Sequence, residues 1–343
     1  MKVGLIGHRG VGKTTIFNML TGLQAEVGGF GRREDIHLGV IRVPDARIDR
    51  LSQIFKPKKT TYAEIRFSDF PPQVEETLKS NDALVAQMRE VDAIALVLRN
   101  FAPGDDPLKE LNDLLTEMIL ADLTVVENRR ARLKKEKGRP QEEVLLGRCA
   151  GALESEESLR SLAFSADEEN LLSGFGFLSR KPLLVLFNQS DDKAGQPLAA
   201  EYDRELQRRG LEGLALAGRV EMEISQLDES DRAAFLKDIG IDEPARNRFI
   251  RASYHLLNLI SFFTTGEDEV RAWTITRGTV ARKAAGKIHS DIERGFIRAE
   301  VIAYDEFISY GSEAKAKEAG KLRLEGKDYV VQDGDIIHFR FAV

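Results

Sequence analysis

Residues 7–15, Gly-His-Arg-Gly-Val-Gly-Lys-Thr-Thr, follow the apolar run Val3 to Ile6 and precede a helical pattern of Ile16, Phe17, Met19 and Leu20. This fits G-x-x-x-x-G-K-[ST] in the strand, glycine loop, helix context that builds a phosphate cradle. The glycines let the backbone close round a phosphate chain. The helix start offers unpaired N–H groups and a favourable dipole, and Lys13 adds a point charge at the β/γ positions. Gly7, Gly10, Val11, Gly12, Lys13, Thr14 and Thr15 are therefore the expected phosphate contacts. The Thr14 hydroxyl is left to ligate Mg²⁺, and the implied cofactors are ATP or GTP with Mg²⁺.

The rest of the first hundred residues reads as alternating strand and helix. Leu38 to Val43 is strand-like, Asp45 to Phe55 is a short amphipathic helix, and Ala63 to Phe67 alternates. Glu26 to His37 is rich in glycine and charge. It lies where a P-loop switch protein carries the segment that closes over the γ-phosphate. Asp69, just past a strand, is placed like the aspartate that reaches Mg²⁺ through water. Gln73 follows four residues later, as in the D-x-x-G-Q of Ras-type enzymes, with Pro72 in place of the glycine. Val91 to Arg99 is a nearly continuous apolar run, suited to a strand buried on both faces of a parallel sheet.

From Asp105 the period changes to that of a long helix, broken near Gly138 and Pro140, with a second helix from about Gln141 to Glu154. The tip of this hairpin carries Arg129, Arg130, Arg132, Lys134, Lys135, Lys137 and Arg139 against a single acid, Glu136. A solvated tip and an RNA-phosphate contact are both open readings. The α/β pattern resumes at Lys181 to Phe187 and ends in Asn188-Gln189-Ser190-Asp191. That resembles the N-K-x-D base-recognition motif, with Gln189 in the lysine position. Asn188 would brace the loop and the Asp191 carboxylate would accept from guanine N1 and N2. Ala217-Gly218-Arg219 lies where a backbone amide would meet the base. A helical segment, Glu229 to Leu257, leads to a boundary near Gly266. Beyond it the expected order is strand (Ala272 to Thr276), helix (Val280 to Ile288), strand (Phe296 to Ile302), helix (Glu313 to Ala319) and two closing strands, Lys327 to Val331 and Asp335 to Phe341. That order suggests a β-grasp binding module.

The 343 residues suffice for roughly two to three domains with their own cores. The net charge of -6 gives no global pull toward nucleic acid, so any such contact needs a local basic patch. The sole cysteine, Cys149, excludes a disulfide framework, and scattered histidines argue against a zinc site. No leader pattern opens the chain, and no apolar run approaches the ~20 residues that span a bilayer. The expectation is a cytoplasmic protein without a membrane partner.

With these residues in view, the chain resembles the Obg-like ATPase (YchF) family. Arg271-Ala272-Trp273-Thr274-Ile275, Glu293 to Val301 and Lys321 to Phe341 are similar to the family's TGS domain. Arg89-Glu90-Val91-Asp92-Ala93-Ile94 and Glu117 to Leu123 match as well. The resemblance implies an α/β P-loop NTPase G-domain with a mostly parallel sheet (1–104 plus 179–266), an inserted coiled-coil-like helical hairpin (105–178) and a C-terminal TGS β-grasp domain (268–343). It also implies ATP preference and association with ribosomes or RNA, through the basic tip and the TGS domain.

The departures fall in the nucleotide site. Arg9 and Gly10 replace the Pro and Asn of the family's G-x-P-N-V-G-K-S. Arg33 stands in the switch-threonine position, and Asn188-x-x-Asp191 is nearer the guanine-reading form than the family's N-x-x-E. Three readings follow. One is a purine-nucleotide switch with slow hydrolysis, in which Arg9 or Gln73 is the candidate catalytic group. Another is a hydrolytically impaired nucleotide-binding RNA or ribosome adaptor. The last is a small-molecule kinase, against which the C-terminal module counts.

Overall fold

The structure, a computed structural model, describes residues 1–23, 36–71, 82–136 and 139–342. Its first six strands are β1 (Lys2–Ile6), β2 (His37–Arg42), β3 (Lys59–Thr61), β4 (Glu64–Asp69), β5 (Ala93–Asn100) and β6 (Leu183–Gln189). The others are β7 (Glu212–Leu216), β8 (Leu259–Thr264), β9 (Glu269–Thr276), β10 (Phe296–Ala303), β11 (Arg323–Glu325) and β12 (Asp335–Phe341). They form two six-stranded sheets, and the chain divides into two compact units: Met1–Ile41 with Arg66–Phe249, and Arg42–Ile65 with Ile250–Val343.

In the first unit the strand order is β2-β4-β1-β5-β6-β7. The pairings of β1 with β4 and β5, of β5 with β6 and of β6 with β7 are all parallel. β5 and β6 are buried almost along their whole length, as their unbroken apolar runs require of central parallel strands. Helix α1 (Lys13–Thr21) leaves the central strand β1 and buries Ile16, Phe17, Met19 and Leu20. The G-domain sheet is therefore the one expected from the alternating pattern.

After helices α2 (Ala46–Phe55) and α3 (Asp82–Arg89) comes α4 (Pro107–Leu133), a 27-residue helix capped by Asp106. It serves two cores in turn. Leu111, Leu114, Met118 and Ala121 pack with β5 and β6 residues such as Leu96 and Val185, whereas Ile119, Val126 and Leu133 pack with Leu145, Leu146 and Cys149 of α5 (Pro140–Glu154). The hairpin thus grows out of a helix already needed to cover the sheet. At the crossover Asp122 is fully buried and joins three segments. It accepts from Arg89 Nη1 at 2.8 Å and from the backbone N–H groups of Leu178 and Ser179 at 3.0 and 2.7 Å.

The second unit carries the order β11-β10-β12-β8-β9-β3. Helix Ala281–Ile288 lays Ala281, Ala284 and Ala285 against Phe262, Ile275, Val301, Ile337 and Phe339, the sheet-on-helix grip expected of a β-grasp module. Several details differ from the sequence expectation. β8 pairs antiparallel with β9, so position 268 falls in a hairpin and the sheet begins before it. The six-residue strand β8, apolar at Leu259, Ile260, Phe262 and Phe263, follows a helix without a glycine or proline break, which hid the change of period. Residues 327–331, expected as a strand, supply only an isolated bridge from Val330 to Val280, and the ladder to β10 is made instead by β11. The segment 229–257 is two helices, Glu229–Asp238 and Ala245–Leu256, separated where Gly240 takes φ 72° and Pro244 precedes the second.

The segment Arg42–Ile65, read from the sequence as part of the G-domain, clusters with the C-terminal unit. β3 pairs in parallel with β9, Phe55 stacks on Phe307 at 5.5 Å, and Arg47 of α2 reaches Asp333 at 3.0 Å. These partners are distant in sequence, and no local pattern announces them.

Candidate nucleotide-binding site

Between β1 and α1 the loop is held open by backbone geometry that only glycine supplies cheaply. Gly12 takes φ 87° as the residue preceding α1, and a Cβ there would lie 2.2 Å from Asn188 Nδ2. A Cβ on Gly7 would come within 2.5 Å of the Val97 carbonyl oxygen. Among the described residues no side chain caps α1, so its first N–H groups are left to an anion.

Lys13 and Asp69 meet at the head of this loop, both almost fully buried. Lys13 Nζ lies 3.5 Å from Asp69 Oδ1, and Thr14 Oγ1 donates to Asp69 Oδ2 at 3.1 Å. Burial pulls the Lys13 ammonium below the ordinary lysine range, and the Asp69 carboxylate works against that shift. Among the described residues, nothing hydrogen-bonds the buried Asp69 Oδ1. A buried carboxylate oxygen short of donors beside a threonine hydroxyl is a hard oxygen set, the kind that suits Mg²⁺ shared with phosphate oxygens. Thr14 and Asp69 therefore fit the metal positions assigned from the sequence. His37 Nδ1, 3.4 Å from Asp69 Oδ2, is an addition that sequence reasoning missed. A scattered histidine at the entry to β2 carries no motif that would have flagged it.

Asn188, at 6% exposure, braces the loop as expected. Its Nδ2 donates to the Val11 carbonyl at 2.8 Å, and its Oδ1 accepts from the Gly218 N–H at 2.9 Å. One side chain thus fixes the phosphate loop to the segment after β7. The Gly218 amide, expected near a base, is taken by Asn188. Gln189 is buried at the end of β6, its Nε2 directed to the Gln196 carbonyl at 3.5 Å. Asp191 opens a short 3₁₀ turn and is joined by the guanidinium of Arg219.

Arg9 is exposed on the loop and lines a cleft of about 300 Å³ with His8, Arg99, Asp105, Lys109 and Glu110, facing the start of α4 rather than Asp69. Burial lowers the His8 imidazole from its usual range. Gln73, Pro72 and Arg33 lie outside the described residues.

Two sequence families match this chain. One, the YchF-GTPase C-terminal family, described as a protein of unknown function, covers residues 259–342, and the other, described as 50S ribosome-binding GTPase, covers residues 2–129. A ribosome-binding ATPase YchF of Pasteurella multocida is 41% identical over all of this chain and 99% of its own length. The Bacillus subtilis protein of the same name is 38% identical over the whole of both. The chain belongs to the YchF family. The solved YchF GTPase of Schizosaccharomyces pombe superposes with a TM-score of 0.86 at 27% identity, covering 99% of this chain and 97% of that one. A GTP-binding protein of Pyrococcus horikoshii shares the fold, with a TM-score of 0.61 at 16% identity over the full length of both. As a YchF-family member the chain is a nucleotide-binding P-loop protein. Its C-terminal match begins at 259, where β8 begins.

Proposed function

We propose that this YchF-family chain is a purine-nucleotide switch that takes ATP or GTP with Mg²⁺, hydrolyses it slowly and acts on or near the ribosome. The observation that carries this reading is the convergence of Lys13 and Thr14 on buried Asp69 at the mouth of a glycine-built loop. Lys13 and the loop backbone from Gly7 through Thr15 bind the phosphate chain. Thr14 and Asp69 hold Mg²⁺, which neutralises charge on the phosphate oxygens when bound. Asn188 keeps the loop in register with the base side of the site, formed by Gln189 and Asp191. Gln73 is the group placed by its spacing to orient water, and Arg9, which faces the start of α4, would have to turn toward the phosphates to stabilise developing charge.

The ribosome enters from the relatives, whose names state ribosome binding. On this chain the partner surface is the hairpin tip together with the TGS module. Among the described tip residues Arg129 and Arg139 are paired with Glu136 and Glu142, leaving Arg130, Arg132, Lys134 and Lys135 to meet phosphate. A ribosomal partner places the protein in the cytoplasm.

Calorimetric titration of ATP and GTP, with and without Mg²⁺, against the protein and its Lys13→Ala variant tests the binding half. Mg²⁺-dependent binding lost in the variant is expected. Single-turnover hydrolysis tests the other half. Turnover no faster than in Lys13→Ala, with binding intact in the parent protein, would replace the switch by the adaptor reading. Pelleting with ribosomes in the presence of each nucleotide tests the partner.

A further inference from the structure

The carboxylate placed to read the base is not free. Asp191 Oδ2 is engaged by Arg219 Nη2, and Asn188 lies close along the chain to both ends of this pair. Asn188 lies three residues before Asp191, and its side-chain oxygen holds the N–H of Gly218, the residue before Arg219. The side chains remain 32% and 73% exposed, so one face of the pair stays open to a ligand. We infer that Arg219 is a specificity-determining residue, which turns a guanine-reading carboxylate into a pair that accepts adenine. The inference rests on the reading of this loop as a purine-nucleotide site.

The chemistry follows from the two base edges. Guanine presents two donors, N1–H and N2–H₂, which a free carboxylate accepts with both oxygens. Adenine presents a donor at N6 and a lone pair at N1, and that lone pair repels a bare carboxylate. With Oδ2 committed to Arg219, one oxygen remains as acceptor and the guanidinium supplies donors beside it. An acceptor next to a donor complements the adenine edge and cannot satisfy both guanine donors. The family's carboxylate is a glutamate, whereas this chain carries the shorter aspartate and an arginine two positions past Ala217.

Calorimetric titrations of ATP, GTP and inosine triphosphate, each with Mg²⁺, against the parent protein and Arg219→Ala test the proposal. Inosine triphosphate lacks the N2 amino group, so the GTP-to-inosine ratio moves only if a carboxylate begins to read that group. In Arg219→Ala the ATP-to-GTP affinity ratio should shift toward GTP by about tenfold or more, the value of a hydrogen bond to a charged group, and GTP should gain over inosine triphosphate. In the double variant Arg219→Ala/Asp191→Ala both preferences should collapse. Ratios unchanged in Arg219→Ala, with all three nucleotides still bound, would overturn the role of Arg219 and leave the nucleotide site standing. A parent protein that binds none of the three would overturn the nucleotide reading itself, and with it this one.

Discussion

Asn188 accepts the Gly218 N–H on its side-chain oxygen at 2.9 Å while its amide nitrogen donates to Val11, so one amide satisfies a buried donor and a buried acceptor on different segments. An amide offers a donor and an acceptor on separate atoms in that span. Asn188→Asp puts a carboxylate against the Val11 carbonyl, and Asn188→Ala leaves both backbone groups unpaired at a cost of about 1–3 kcal/mol each. We expect either variant to melt at lower temperature and to lose nucleotide affinity, although on the nucleotide reading neither removes a phosphate contact. Thermal unfolding and titration of ATP check this. Full affinity in Asn188→Ala would mean that the loop holds its shape without the brace.

Asp69 faces Lys13, Thr14 and His37 at once, and among the described residues its Oδ1 has no hydrogen bond. Asp69→Asn keeps the shape and removes the charge that draws a hard cation. The Mg²⁺-dependent part of nucleotide affinity should fall by about 10–100-fold, the range seen when groups supporting a metal are lost, while binding in chelator changes little. Equal losses with and without Mg²⁺ would assign Asp69 to the loop's structure rather than to the metal.

Much of this site was legible because its parts are local. Lys13 and Thr14 follow from one nonapeptide, and Asn188 from a tetrapeptide after an apolar strand. What the sequence could not show depends on partners far along the chain. Arg219 lies 28 residues from Asp191 and His37 lies 32 from Asp69, and neither pair has a spacing rule. The fold divides the same way. The parallel sheet follows from apolar periodicity, whereas the membership of Arg42–Ile65 in the C-terminal unit depends on β3 pairing with β9 and on Arg47 meeting Asp333, which leave no mark on the segment's own pattern.

Arg89 and Asp122 form the buried ion pair where α3, α4 and the returning chain near Leu178 meet. The Asp122 carboxylate, fully buried, accepts from a guanidinium and two backbone N–H groups, so it cannot leave without stranding donors. Removing one partner of such a pair typically costs about 3–5 kcal/mol. We expect Asp122→Ala to lower denaturant stability by that order and Arg89→Ala, whose side chain is 15% exposed, by less. Chemical denaturation of both single variants and the double variant measures the coupling. Strictly additive losses would show that the backbone donors, and not the ion pair, fix Asp122.

At the hairpin tip the Arg129 hydrogen bonds hold the Glu142 carboxyl below the usual glutamate range, with Arg139 adding to the effect. Because the folded form binds its proton less readily than the unfolded chain, the stabilisation is complete above the unfolded value near 4.5 and is lost as pH falls through the folded one. Glu142→Gln should therefore melt lower than the parent protein at about pH 7, and the gap should close toward about pH 3. A gap that persists in acid would mean that neutral hydrogen bonds, not charge, join the two helices here. The same variant frees Arg139 and leaves Arg129 with Glu136 alone, while Arg130, Arg132, Lys134 and Lys135 stay as they were. If the tip meets RNA phosphates, Glu142→Gln should bind ribosomes more tightly at low salt and with a steeper salt dependence, and charge reversal at Lys134 and Lys135 should do the opposite. Pelleting across a salt series distinguishes these outcomes. A salt slope unmoved by either change would remove the tip from the binding surface and leave the C-terminal module to carry it.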